Sequence, residues 1–98
     1  MTIYCDIDGT LTDLPHAAGG APRKDVIERL KLYIKGGHSV ILWSANGAVY
    51  VEQFASENGI EALACLKKPD MIIDDKKHIR PHGKDIPVPP EEFLRMRL

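Results

Sequence analysis

The sequence predicts a small α/β fold of Rossmann-like, three-layer type, in which helices cover a mostly parallel sheet. Three observations carry that reading. Short apolar, β-rich runs alternate along the chain with segments of helical periodicity, in the order β-α-β-α-β-β. The second such run is apolar throughout, as expected of a strand covered on both faces. Acidic, hydroxyl and lysine residues fall at the ends of these runs, which in a parallel sheet open at one edge.

The elements follow in order. Thr2 to Cys5 is a short, partly β-branched run that stops at Asp6. Residues 9–22 hold three glycines and two prolines and read as a loop or small flap. From Arg23 to Lys35, Val26, Ile27, Leu30 and Ile34 recur at three- and four-residue intervals and define one helix face. Pro22 suits the first turn of that helix, and Gly36-Gly37 its end. Ser39 to Trp43 is the second strand. A helix over residues 48–57 buries Val51, Phe54 and Ala55, and Asn58-Gly59 closes it. Two further apolar runs, Ala62 to Leu66 and Met71 to Ile73, predict the last strands, the second ending at Asp74-Asp75. Residues 77–98 form a proline-containing tail with a short helix over Glu91 to Met96.

Composition bounds the function. A chain of 98 residues, 44% hydrophobic and 28% charged, predicts one domain over residues 1–98 with a modest core. Thirteen basic and fourteen acidic residues, for a net charge of -1, argue against broad nucleic-acid binding. Cys5 and Cys65 each sit inside an apolar run and read as buried thiols of a reducing compartment. There is no zinc-type cysteine or histidine spacing, and acids by the sixth residue do not suit a signal peptide. No run approaches the roughly 18 apolar residues of a membrane span, so a cytoplasmic location is expected, without membrane partners.

The strand-end residues make a chemical pattern. Asp6-x-Asp8 ends the first strand, Ser44 the second, and Asp74-Asp75 the fourth, with Lys67-Lys68 in the turn between the third and fourth. Carboxylates gathered in a partly desolvated cleft repel one another, and a bound cation relieves that repulsion. Oxygen ligands alone favour a hard ion such as Mg²⁺, and a lysine with a serine hydroxyl suits a phosphate beside it. Other polar residues carry less. Asp13 reads as a turn cap or a solvated acid, and one of the two lysines is by default a solvated charge. His16, His38, His78 and His82 lack metal-ligand spacing, Trp43 reads as core, and residues 76–80 as a basic surface turn.

The stretch Asp6-Ile-Asp-Gly-Thr-Leu-Thr-Asp13 resembles the first signature of the haloacid dehalogenase superfamily of phosphotransferases. The apolar strand ending at Ser44, the pair Lys68-Pro69, and Ile73-Asp74-Asp75 resemble its second, third and fourth signatures, in the same order. The resemblance implies a Mg²⁺-dependent phosphomonoester hydrolase. Asp6 would be the nucleophile that forms an aspartyl-phosphate, and Asp8 the general acid and then the general base. Ser44 and the backbone at Ala45 would bind phosphate oxygens, and Lys68 would neutralise the transferring group. Asp6, the Asp8 carbonyl and Asp74 would hold Mg²⁺. Thr10 would help turn the chain past the site, and Asp75 would hold a metal-bound water or orient Lys68.

This chain departs from the family pattern in two ways. Adjacent Lys67 and Lys68 leave the catalytic lysine ambiguous, and Lys68 is preferred because it precedes Pro69. Connections of about fifteen and about five residues after the first and third strands leave no room for a cap domain. An uncapped site suits a phosphorylated macromolecule, or a small sugar phosphate or nucleotide enclosed by a neighbour in a homo-oligomer. The rival reading is a non-hydrolytic phosphoacceptor of the receiver type. Receivers carry their acidic pair on the first strand and the acceptor on the third, whereas here D-x-D-G-T comes first. Asp8 is the chemical discriminator, because an acid/base promotes turnover.

Overall fold

The computed structural model describes residues 1–15, 17–75 and 88–97. By contact, the chain divides into two compact units, Met1–Lys68 and Pro69–Leu98. Each is described by itself.

The first unit is an α/β fold of the order β1 (Thr2–Asp6), α1 (Lys24–Lys35), β2 (Ser39–Ser44), α2 (Ala48–Asn58) and β3 (Ala64–Lys67). The three strands form one parallel sheet in the order β1-β2-β3. Cys5 pairs with Leu42 and Leu42 with Cys65; at the carboxyl edge Asp6 pairs with Trp43, and Ser44 with Lys67. Asp6, Ser44 and Lys67 therefore end their strands side by side; the sequence predicts the first two as strand ends and puts Lys67 in the turn after the third strand.

Strand β2 is central, and Val40 to Ser44 are all buried. Its alternation divides the sheet faces. Val40 and Leu42 join Ile27 and Leu30 of α1 and Val51, Phe54 and Ala55 of α2 in a single core, completed by Ile7, Leu11 and Ile60. Both helices thus lie on one face of the sheet. The reason is topological. Strands added successively in one direction, with crossovers of one hand, place successive helices on the same side. Trp43, of the opposite phase, packs its ring 4.9 Å from that of Tyr4. The layering is compatible with a Rossmann-like fold without being specific to one.

Helix ends follow local chemistry. Gly59, at φ 65°, closes α2 in the left-handed conformation, and its N–H reaches the Ser56 carbonyl. Pro22 does not enter the first turn of α1. Arg23 is the N-cap, and Pro22 instead forms an antiparallel bridge with Thr12. That bridge closes a small flap over residues 11–23, fastened by Asp13 N–H to the Ala21 carbonyl and Ala21 N–H to Asp13 Oδ1. Asp13 is thus a structural acid of the flap.

In the second unit, the strand predicted at Met71 to Ile73 is reduced to a single parallel bridge between Ile73 and Val88. Asp74 N–H donates to the Val88 carbonyl and Val88 N–H to that of Ile72. The next N–H in register to continue this ladder beyond Val88 would be that of residue 90, which is a proline without one and starts a helix. Helix α3 (Pro90–Arg95) starts on a proline, as the sequence predicts. The basic segment 76–80, His16, His78 and His82 lie outside the described residues. No helix among the described residues is long and apolar enough to cross a membrane.

Candidate active site

Strand β1 stops at Asp6 because the chain then coils tightly. The N–H groups of Thr10, Leu11 and Thr12 all point at the Ile7 carbonyl, at 3.0, 2.8 and 3.1 Å. Ile7 itself is fully buried and pins the turn to the core. Gly9 takes φ 80°, and its N–H donates to Thr12 Oγ1 at 3.2 Å. The side chain that ties this turn is thus Thr12, itself buried. Thr10, predicted to support the site, contributes through its backbone amide.

The coil sends Asp8 toward the segment between β2 and α2. Its Oδ2 accepts from Ser44 Oγ at 3.0 Å and from Asn46 Nδ2 at 2.8 Å, and its Oδ1 from the Tyr50 hydroxyl at 2.6 Å. The Asp8 carboxylate is therefore clasped by three donors from a part of the chain remote in sequence. Burial, the hydrogen bond to Asp8 and the charges of Asp8 and Asp6 push the Tyr50 phenol up to about 12. At neutral pH it is a donor.

Ser44 joins the segments. Its hydroxyl donates to Asp8 and accepts the Asn46 N–H at 3.1 Å, while its carbonyl accepts N–H groups from Gly47 and from Lys68 at 2.9 Å. The hydroxyl expected to face a phosphate is thus turned to Asp8. The Ala45 N–H makes no hydrogen bond among the described residues and stands at an exposed turn. Lys68 is half-buried with its backbone anchored on Ser44, whereas Lys67 is exposed. Asn46 and Tyr50 escape sequence reasoning. Asn46 stands in the turn before Gly47, at φ 102°, and Tyr50 inside α2, so no single periodicity links them in the sequence.

Asp6, half-buried at the end of β1, has no hydrogen bond or ion pair to its carboxylate among the described residues. Beside it, burial and the Asp6 charge push the Cys5 thiol up to about 11, so Cys5 stays protonated and is a poor nucleophile. Asp74 and Asp75 belong to the second unit, where Asp74 is half-buried and Asp75 exposed. Among the described residues, no group of three or more His, Cys, Asp or Glu side chains is disposed to hold a metal ion. The donor set expected for Mg²⁺ is sparser than that, two carboxylates and one carbonyl. A half-buried carboxylate at Asp6, without a hydrogen bond or ion pair among the described residues, fits the hard-oxygen chemistry of such an ion.

No protein-family model, curated protein or solved structure matches this chain.

Proposed function

We propose that the chain is a Mg²⁺-dependent phosphomonoester hydrolase of the haloacid dehalogenase type, working through an aspartyl-phosphate. One observation carries the reading: Ser44 holds Asp8 through its hydroxyl and Lys68 through its carbonyl. Three motif segments thereby converge beside the end of β1, where Asp6 has its carboxylate unengaged by the described residues.

In this reading Asp6 attacks phosphorus, and the ester oxygen departs with the bonding pair and takes a proton from Asp8. Water then attacks the aspartyl-phosphate, Asp8 takes the water's proton, and inorganic phosphate leaves. The Ala45 N–H donates to a phosphoryl oxygen, and Lys68 offsets the negative charge of the transferring group. The Asp6 carboxylate and the Asp8 carbonyl would hold Mg²⁺, with Asp74 assigned by sequence resemblance alone. When bound, the ion supplies positive charge against the phosphoryl oxygens. The substrate class is a sugar phosphate, a nucleotide or a phosphorylated macromolecule. The free thiols of Cys5 and Cys65 suit a reducing, cytoplasmic setting.

The test is hydrolysis of 4-nitrophenyl phosphate with and without Mg²⁺. Turnover is expected with the ion, is lost on chelation, and is abolished in Asp6→Asn. Wild-type turnover in that variant would remove Asp6 as the nucleophile.

A further inference from the structure

The clasp on Asp8 is asymmetric, and the asymmetry has a chemical consequence. A carboxylate oxygen offers two in-plane lone pairs. On Oδ2 both are taken, one by Ser44 Oγ and one by Asn46 Nδ2. On Oδ1 one is taken, by the Tyr50 hydroxyl at 2.6 Å, and the other is open among the described residues. A proton added to this carboxyl therefore has one place to go without breaking a hydrogen bond, namely Oδ1. Bonds to both oxygens also fix the plane of the group, so the direction of that open lone pair is set.

We propose that Tyr50 and Asn46 are positioning residues that reserve Oδ1 of Asp8 for proton delivery to the departing oxygen. They thereby equip the site for phosphomonoesters of alcohols, whose poor leaving groups need a proton. The inference rests on the hydrolase reading above. In the step concerned, an Asp6 oxygen forms the bond to phosphorus and the ester P–O bond breaks. Its electron pair stays on the leaving oxygen, which receives the proton from Oδ1. Asp8 becomes a carboxylate, and the Tyr50 O–H and the two donors on Oδ2 stabilise it. Tyr50 does not touch the reacting atoms, and it acts by holding the group that does.

This role separates from a merely structural one by its dependence on the leaving group. The 4-nitrophenolate ion departs without a proton, whereas a glycerol alkoxide does not. The measurement is kcat/KM, which covers the steps through leaving-group departure, for 4-nitrophenyl phosphate and 2-glycerol phosphate in wild type and Tyr50→Phe. The variant is expected to lose about a hundredfold on the alkyl ester and less than about fivefold on the aryl ester, the difference being the worth of general-acid catalysis. Asn46→Ala, a change at an exposed side chain, frees a lone pair on Oδ2 and is expected to produce the same selective loss. Equal losses on both esters in both variants, or none, would overturn the proposal while leaving the hydrolase reading intact. A wild type inactive on both esters would overturn the hydrolase reading and this inference with it.

Discussion

Gly9 is where the geometry of the candidate site is most sensitive to one added atom. It follows Asp8 directly and takes φ 80°, a region that L-residues enter at a cost of about 1–2 kcal/mol. A Cβ at this position would stand 2.9 Å from Pro15 Cα and 3.2 Å from Pro15 Cβ. Carbon atoms in good contact lie about 3.5–4.0 Å apart, so the flap backbone must move. Such overpacking adds about 1–3 kcal/mol. Gly59 provides the control. It shares a positive φ, 65°, but its Cβ would meet only the flexible end of Lys31, at 3.4 Å. Gly59→Ala is therefore expected to cost about 1–2 kcal/mol, and Gly9→Ala about 1–3 kcal/mol more. In thermal unfolding each kcal/mol corresponds to a fall of about 4–8 °C. Urea titrations with unchanged m-values give the free energies directly. Equal destabilisation in the two variants would refute the close contact with Pro15.

Two further outcomes test the site and its surroundings. Lys68→Ala is expected to lower 4-nitrophenyl phosphate turnover by about 10²–10³-fold, the scale of a transition-state charge contact, and Lys67→Ala by less than about threefold. Equal losses would remove the distinction drawn from the half-burial of Lys68 and its anchored backbone. The third outcome concerns pH. The Tyr50 phenol is held at about 12 in the folded chain against an ordinary 10, so the native state keeps its proton where the unfolded chain releases it. This contribution is fully present below pH 10 and is lost as pH rises through 12. Urea unfolding between pH 9 and 11 should show stability falling more steeply in wild type than in Tyr50→Phe. Parallel slopes would mean that burial and the hydrogen bond to Asp8 do not raise the phenol in solution. Cys5 and Cys65 titrate in the same alkaline range but are common to both proteins, so they cancel in the comparison.

What the chain determines by itself is what depends on near neighbours. The face of α1, with Ile27 and Leu30 buried and Val26 and Ile34 half-buried, is legible because helical periodicity repeats within a few residues. Strand β2 is legible because an unbroken apolar run has to be covered on both sides. The placing of Asp6, Ser44 and Lys67 at one edge follows once the strands are known to run parallel. Tertiary structure decides the rest. The single-face packing of α1 and α2 comes from strand order, which no local pattern encodes. The run Met71 to Ile73 has strand composition, yet its pairing ends at Val88, between two prolines more than a dozen positions along the chain. The partners of Asp8 depend on distance in the same way. Asn46 and Tyr50 are 38 and 42 residues away, and reach it only because the coil at Gly9 and the start of α2 end up beside each other. A carboxylate at a strand end announces chemistry in the sequence. Which of its oxygens stays open is set by donors that only folding brings within 3 Å.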